Sequence, residues 1–102
     1  MNLLQLTDDE LLAELGNRLR RYRLEGNITQ AELARRAGIS LRTLGNLETG
    51  RDVQFGTVIR VLRSLGRLDS LDAFLPEAGV SPMELLRSGG RPRQRAGKPR
   101  NG

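Results

Sequence analysis

The chain contains no cysteine and no histidine. That removes disulfides, the usual zinc-ligand sets, and any thiol or imidazole nucleophile or general base in one step. Catalysis would have to rest on carboxylates, hydroxyls or Lys98. The clustered acids Asp8, Asp9 and Glu10 stand at a helix start, where capping and the helix dipole account for them. No phosphate-cradling glycine motif is present, because Gly89-Gly90 precedes no apolar helix. Neither an enzyme nor a bound cofactor or metal is expected. Aromatic residues make up only 3% of the chain, so its core must be built from Leu, Ile, Val and Ala. No run of 18 apolar residues occurs, which excludes a membrane-spanning helix. The opening Met1-Asn2-Leu3, with acids by Asp8, is not a secretory signal.

What is present is unevenly charged. The chain has 102 residues and a net charge of +5. The first 88 residues balance, with 12 basic against 12 acidic groups. The whole excess lies in residues 89–102, on Arg91, Arg93, Arg95, Lys98 and Arg100. Sixteen of the 17 basic residues are arginine, whose planar fork suits phosphate and guanine edges. A tail of this kind is either solubilising or directed at nucleic acid or an acidic protein. With so few residues there is room for one domain and a marginal core, which a partner subunit would help.

Apolar spacing predicts an all-α chain. Thr7-Asp8-Asp9-Glu10 has the form of a capping box. Leu11, Leu12, Leu15, Leu19 and Tyr22 then recur at helical spacing, giving a helix over 8–24 that ends at Glu25-Gly26-Asn27. Thr29-Gln30-Ala31-Glu32 is a second capping box and opens a helix over 30–37, with Leu33, Ala34 and Ala37 inward. Gly38 follows as a left-handed stop. Ser40 caps a third helix over 41–49, with Leu44 and Leu47 inward and Arg42, Thr43 and Asn46 outward. Phe55, Val58, Ile59, Leu62 and Leu65 mark a fourth, stopped at Gly66. Leu68, Leu71, Phe74 and Leu75 mark a short fifth, stopped by Pro76. Ser81-Pro82-Met83-Glu84 starts one or two further turns. The expected layout is an N-terminal arm over 1–7, a five-helix domain over 8–76, a short helix within 77–88 and a disordered Arg/Gly/Pro tail over 89–102.

The most informative stretch is QAELARRAGISLRTLGNLET, residues 30–49. Two helices held at a steep angle by a tight turn need a small residue at their contact, and Ala34 is there. The turn needs positive φ, and Gly38 supplies it. Leu33, Ala37, Ile39, Leu44 and Leu47 are apolar anchors before, within and after the turn. The start of the second helix is polar on its outer face, through Ser40, Arg42, Thr43 and Asn46. An ordinary helical hairpin shares some of these features but not their conjunction.

The stretch ITQAELARRAGISLRTLGNLETGR, residues 28–51, resembles the phage repressor and Cro type of helix-turn-helix, the XRE-like family. The resemblance extends over about residues 11–75 and implies a repressor-type five-helix domain that binds double-stranded DNA. It implies base contacts from Leu41, Arg42 and Asn46, and phosphate contacts from Gln30, from Ser40 or Thr43, and from Arg51. The residue chemistry is compatible. An arginine can pair with guanine, an asparagine with adenine, and a leucine can pack on a thymine methyl. The resemblance also implies that Arg23 and Glu48 form a structural ion pair. Arg36 flanks the motif and is either a phosphate contact or part of a solvated face. Gly45, inside the second motif helix, serves either close approach to DNA or a partner, or nothing in particular.

The resemblance further implies a homodimer on a near-palindromic operator, with a dimer surface from Leu68, Leu71, Phe74 and Leu75. In size and layout the chain is similar to HipB-type antitoxins, which repress their own operon and bind a HipA-type kinase. An interaction module that mainly masks a toxin is therefore the alternative. The segment Gly89-Gly90-Arg91-Pro92-Arg93 resembles a minor-groove hook, while plain phosphate attraction through Arg91, Arg93 and Arg95 is the simpler use of its charge. A cytoplasmic, nucleoid-associated protein is expected.

Overall fold

The computed structural model describes residues 2–78. Among them every regular element is helical and no strand is present. A single 3-10 turn, Leu3–Gln5, lies within the expected N-terminal arm, capped by the Asn2 side chain. It is followed by α1 (Asp8–Glu25), α2 (Gln30–Ala37), α3 (Leu41–Glu48), α4 (Phe55–Ser64) and α5 (Ser70–Phe74). The expected helix over 81–87 and the tail residues Arg91, Arg93 and Arg95 lie outside the described residues. The compact unit that carries the motif ends at Ser70, and a second begins at Leu71.

Local side-chain caps account for the starts of α1, α2 and α3, whereas Gln54 before α4 makes no side-chain cap bond. Thr7 and Glu10 form a reciprocal capping box, with Thr7 N–H donating to Glu10 Oε1 at 2.9 Å and Glu10 N–H to Thr7 Oγ1 at 3.2 Å. The second box is only half formed. Thr29 Oγ1 accepts from Glu32 N–H at 3.1 Å, but the Glu32 carboxylate turns away to Arg35 and Arg36. Two guanidinium groups are stronger partners for a carboxylate than one backbone N–H.

The first four helices end alike. The backbone N–H groups of Ile28, Ile39, Arg51 and Arg67 reach back to the carbonyls of Arg23, Ala34, Asn46 and Leu62, at 3.1, 3.0, 2.8 and 2.8 Å. This is the Schellman pattern, in which the preceding residue is left-handed. Those residues are Asn27, Gly38, Gly50 and Gly66, with φ of 60°, 69°, 88° and 71°. At the end of α1 the left-handed residue is thus Asn27, while Gly26 has an ordinary negative φ of −82°. Asparagine tolerates this region better than other non-glycine residues.

The core is aliphatic. It comprises Leu19, Leu33, Ala34, Ala37, Leu44, Leu47, Val61 and Leu62, with Leu33, Leu44 and Val61 fully enclosed. α2 packs on α3 and α4, and α1 packs on α3. Two apolar stripes differ from the expectation. On α1 the buried residues are Gly16, Leu19 and Arg23, while Leu15 is 44% exposed. On α4, Val61 takes the central place and Phe55, in the first turn, is largely exposed. The rest of each expected stripe faces inward: Leu19 and Leu62 are buried, and Leu11, Leu12, Tyr22, Val58, Ile59 and Leu65 are half-buried. An apolar run wider than the buried strip does not say which of its residues face inward.

Candidate nucleic-acid interface

The turn between α2 and α3 is fixed by its backbone. Gly38 adopts φ 69° and ψ 34°, and its N–H donates to the Arg35 carbonyl at 3.2 Å. Ile39 is half-buried beneath the turn. The next residue, Ser40, begins α3 as its cap. Ser40 Oγ accepts from Thr43 N–H at 3.0 Å and donates its own proton to Thr43 Oγ1 at 2.8 Å. The hydroxyls of Ser40 and Thr43 are therefore paired with each other in the free chain, which ties their orientation to the start of the helix.

Leu44, Leu47 and Glu48 bury one side of α3. Its other side carries Leu41, which is 53% exposed, and Arg42, which is exposed, with Thr43 and Asn46 half-buried beside them. No acidic residue lies in the first turn of α3, and among the described residues no ion pair involves Arg42. Arg51 follows Gly50 directly and is held there by its backbone bond to Asn46. It too is exposed, with no acidic partner among the described residues. α3 thus presents an exposed leucine, an asparagine amide and two unneutralised guanidiniums on one short helix and its end. That set can donate to acceptor edges and to phosphate oxygens.

Behind this surface lies one polar node in the aliphatic core. Arg23 of α1 grips Glu48 of α3 with two bonds, Nε to Oε2 at 2.7 Å and Nη2 to Oε1 at 3.1 Å. Its third nitrogen, Nη1, donates to the Ile28 carbonyl at 2.8 Å. The side chains are 7% and 1% exposed. Gln30, the first residue of α2, adds its Nε2 to Glu48 Oε1 at 3.0 Å. No buried side-chain polar atom among the described residues is left without a partner. The node therefore ties α1, its following loop, α2 and α3 together.

Arg36 is placed differently from a free phosphate contact. Its Nε donates to Glu32 Oε2 at 2.8 Å, and Arg35 Nη2 donates to the same oxygen at 2.6 Å. These bonds, that of Arg35 first, pull the Glu32 carboxyl down to about 2 and raise Arg35. Gly45 faces open space, with nothing within 4 Å of where a Cβ would stand.

Two positions that shape the site were not singled out for it from sequence. A Cβ on Gly16 would overlap the Leu47 carbonyl oxygen, and one on Gly50 would lie 2.6 Å from Ala13 Cα. α1 therefore lies directly against the C-terminal half of α3. For Gly16 the available signal was glycine inside a run that otherwise favours helix. Gln30 was read only as an outward contact, and its bond to Glu48 joins residues 18 apart in sequence.

Residues 14–74 match the family model described as a helix-turn-helix domain. The uncharacterized HTH-type transcriptional regulator y4mF of Sinorhizobium fredii is 42% identical over 65 residues, which cover 63% of this chain and 83% of that protein. The family-model span, residues 14–74, takes in both motif helices, the turn between them and the helices that pack behind. The chain belongs to the helix-turn-helix domain family, in its XRE-like form.

Proposed function

We propose that this DNA-binding regulator is a sequence-specific repressor that acts as a homodimer on a near-palindromic operator. The observation that carries the reading is the outward side of α3, where Arg42 is exposed and unneutralised beside Asn46 on a helix braced from behind. In this reading α3 enters the major groove. Leu41, Arg42 and Asn46 meet base edges, and Gln30, Ser40, Thr43 and Arg51 lie along the phosphates. Arg36 joins them only by leaving Glu32. Two copies of α3 must stand about one DNA turn apart, ~34 Å, which calls for a dimer. Leu68, Leu71, Phe74 and Leu75 supply its apolar surface, and Leu75 is 74% exposed in the single chain. The relative's description as a transcriptional regulator supports the regulatory role.

Selection from a random DNA pool near physiological salt tests this. Recovery of an inverted-repeat motif supports the dimeric repressor. Binding without a motif, lost as salt rises, overturns it, because such binding is electrostatic alone. The second reading is an antitoxin whose main partner is a HipA-type kinase. It is favoured by the basic excess confined to residues 89–102, in which Arg91, Arg93 and Arg95 supply positive charge for an acidic protein surface or for DNA. A stable complex with such a kinase, formed by a chain that selects no DNA motif, would establish it in place of the first.

A further inference from the structure

We propose that Glu48 is a positioning residue for DNA contact, whose buried carboxylate sets the Gln30 amide in the orientation that a phosphate requires. The inference rests on the reading above, in which the first turn of α2 lies along the DNA backbone.

The acceptor is immobile. Both Glu48 oxygens are held by the Arg23 fork, and Arg23 is itself fixed to the Ile28 carbonyl. Gln30 Nε2 reaches Oε1 of that same carboxylate at 3.0 Å. An ionised carboxylate only accepts hydrogen bonds, so the amide must turn its NH2 toward Glu48 and its carbonyl oxygen elsewhere. One N–H is used there and the second remains. A phosphate oxygen also only accepts, so a flipped amide offering its carbonyl would be repelled where the N–H is attracted. Glu48 thus excludes the wrong amide orientation before DNA arrives. The rotamer ordering that a long, half-exposed glutamine would otherwise undergo on binding is already complete in the free chain. The contact is also neutral and releases no counterion of its own, which separates it from arginine contacts.

The test is a coupling measurement with the full chain and its selected operator duplex. Gln30→Ala is compared in the wild-type background and in the double variant Arg23→Met/Glu48→Met. Replacing both charges together avoids a lone buried ion. In the wild-type background we expect about a tenfold loss of affinity, at every salt concentration and with base preference unchanged. In the double variant the same substitution should cost less than twofold. Equal losses in both backgrounds overturn the positioning role, and so does no loss in either. An absence of selective binding by the wild type would instead sink the parent reading, and the inference with it. A second measurement needs no variant. By NMR, one Gln30 side-chain amide proton should exchange slowly in the free chain, and the other should shift when operator is added. Equal, fast exchange of both protons overturns the proposal.

Discussion

Gly16 of α1 and Leu47 of α3 approach so closely that a methyl group on Gly16 would overlap the Leu47 carbonyl oxygen. Gly45, two residues earlier on α3 and so on nearly the opposite side of that helix, has nothing within 4 Å. Two helical glycines thus have opposite roles. Gly16→Ala gains helix propensity of about 1 kcal/mol but forces two backbones apart, and overpacking costs about 1–3 kcal/mol or more. We expect net destabilisation. Gly45→Ala keeps the propensity gain without a clash and should stabilise by about 1 kcal/mol. Thermal denaturation of both variants decides the signs. A Gly45→Ala chain that is more stable yet binds operator more weakly would show that the glycine serves close approach to DNA.

The Arg23–Glu48 pair should be costly to break singly. Glu48→Ala leaves a guanidinium buried and unpaired, and Arg23→Ala leaves a carboxylate so. Each should lose about 3–5 kcal/mol, measured by denaturant unfolding. The double replacement by methionine should lose far less than the sum, because neither charge remains to be buried.

Operator binding should separate base contacts from phosphate contacts. Arg42→Ala and Asn46→Ala should each relax preference at one position per half-site, by about 1–3 kcal/mol of discrimination. Arg51→Ala should weaken all sequences alike and reduce the salt slope by about one per contact. Binding titrations at several salt concentrations check all three. An unchanged base preference in Arg42→Ala would remove that residue from the groove.

Glu32 supplies a pH dependence. Arg35 and Arg36 lower its carboxyl from 4.5 to about 2 in the folded chain. A depressed folded value means that the contribution is complete above 4.5 and is lost as pH falls toward about 2. Melting temperatures of the wild type and Glu32→Gln should therefore converge as pH falls through that window. Because the pair is exposed, added salt should narrow the difference at neutral pH.

Oligomer formation should depend on the apolar residues after α4. Leu75→Glu should raise the dimer dissociation constant by at least tenfold, since it places a charge in an apolar contact. Sedimentation equilibrium reads this directly. An unchanged constant, or a wild-type chain monomeric at micromolar concentration, would remove Leu75 from the interface.

The sequence by itself determined the first three helices, their starts and the turn of the motif, because these depend on neighbours in the chain. Thr7, Thr29 and Ser40 cap within three residues, and Gly38 and Gly50 end helices by their own backbone freedom. It also determined which side of α3 is polar, since helical periodicity alone separates Arg42 and Asn46 from Leu44 and Leu47. Tertiary structure decided what periodicity leaves open. Val61 rather than Phe55 fills the core, because which part of a broad apolar stripe is covered depends on where α2 packs. Glu32 abandoned its capping bond for two arginines, and Gln30 turned inward to Glu48. Gly16 became a contact point because α3 lies against it. Each of these outcomes is a competition between a local partner and a partner brought close by folding, and only the packed chain sets the distances that decide it.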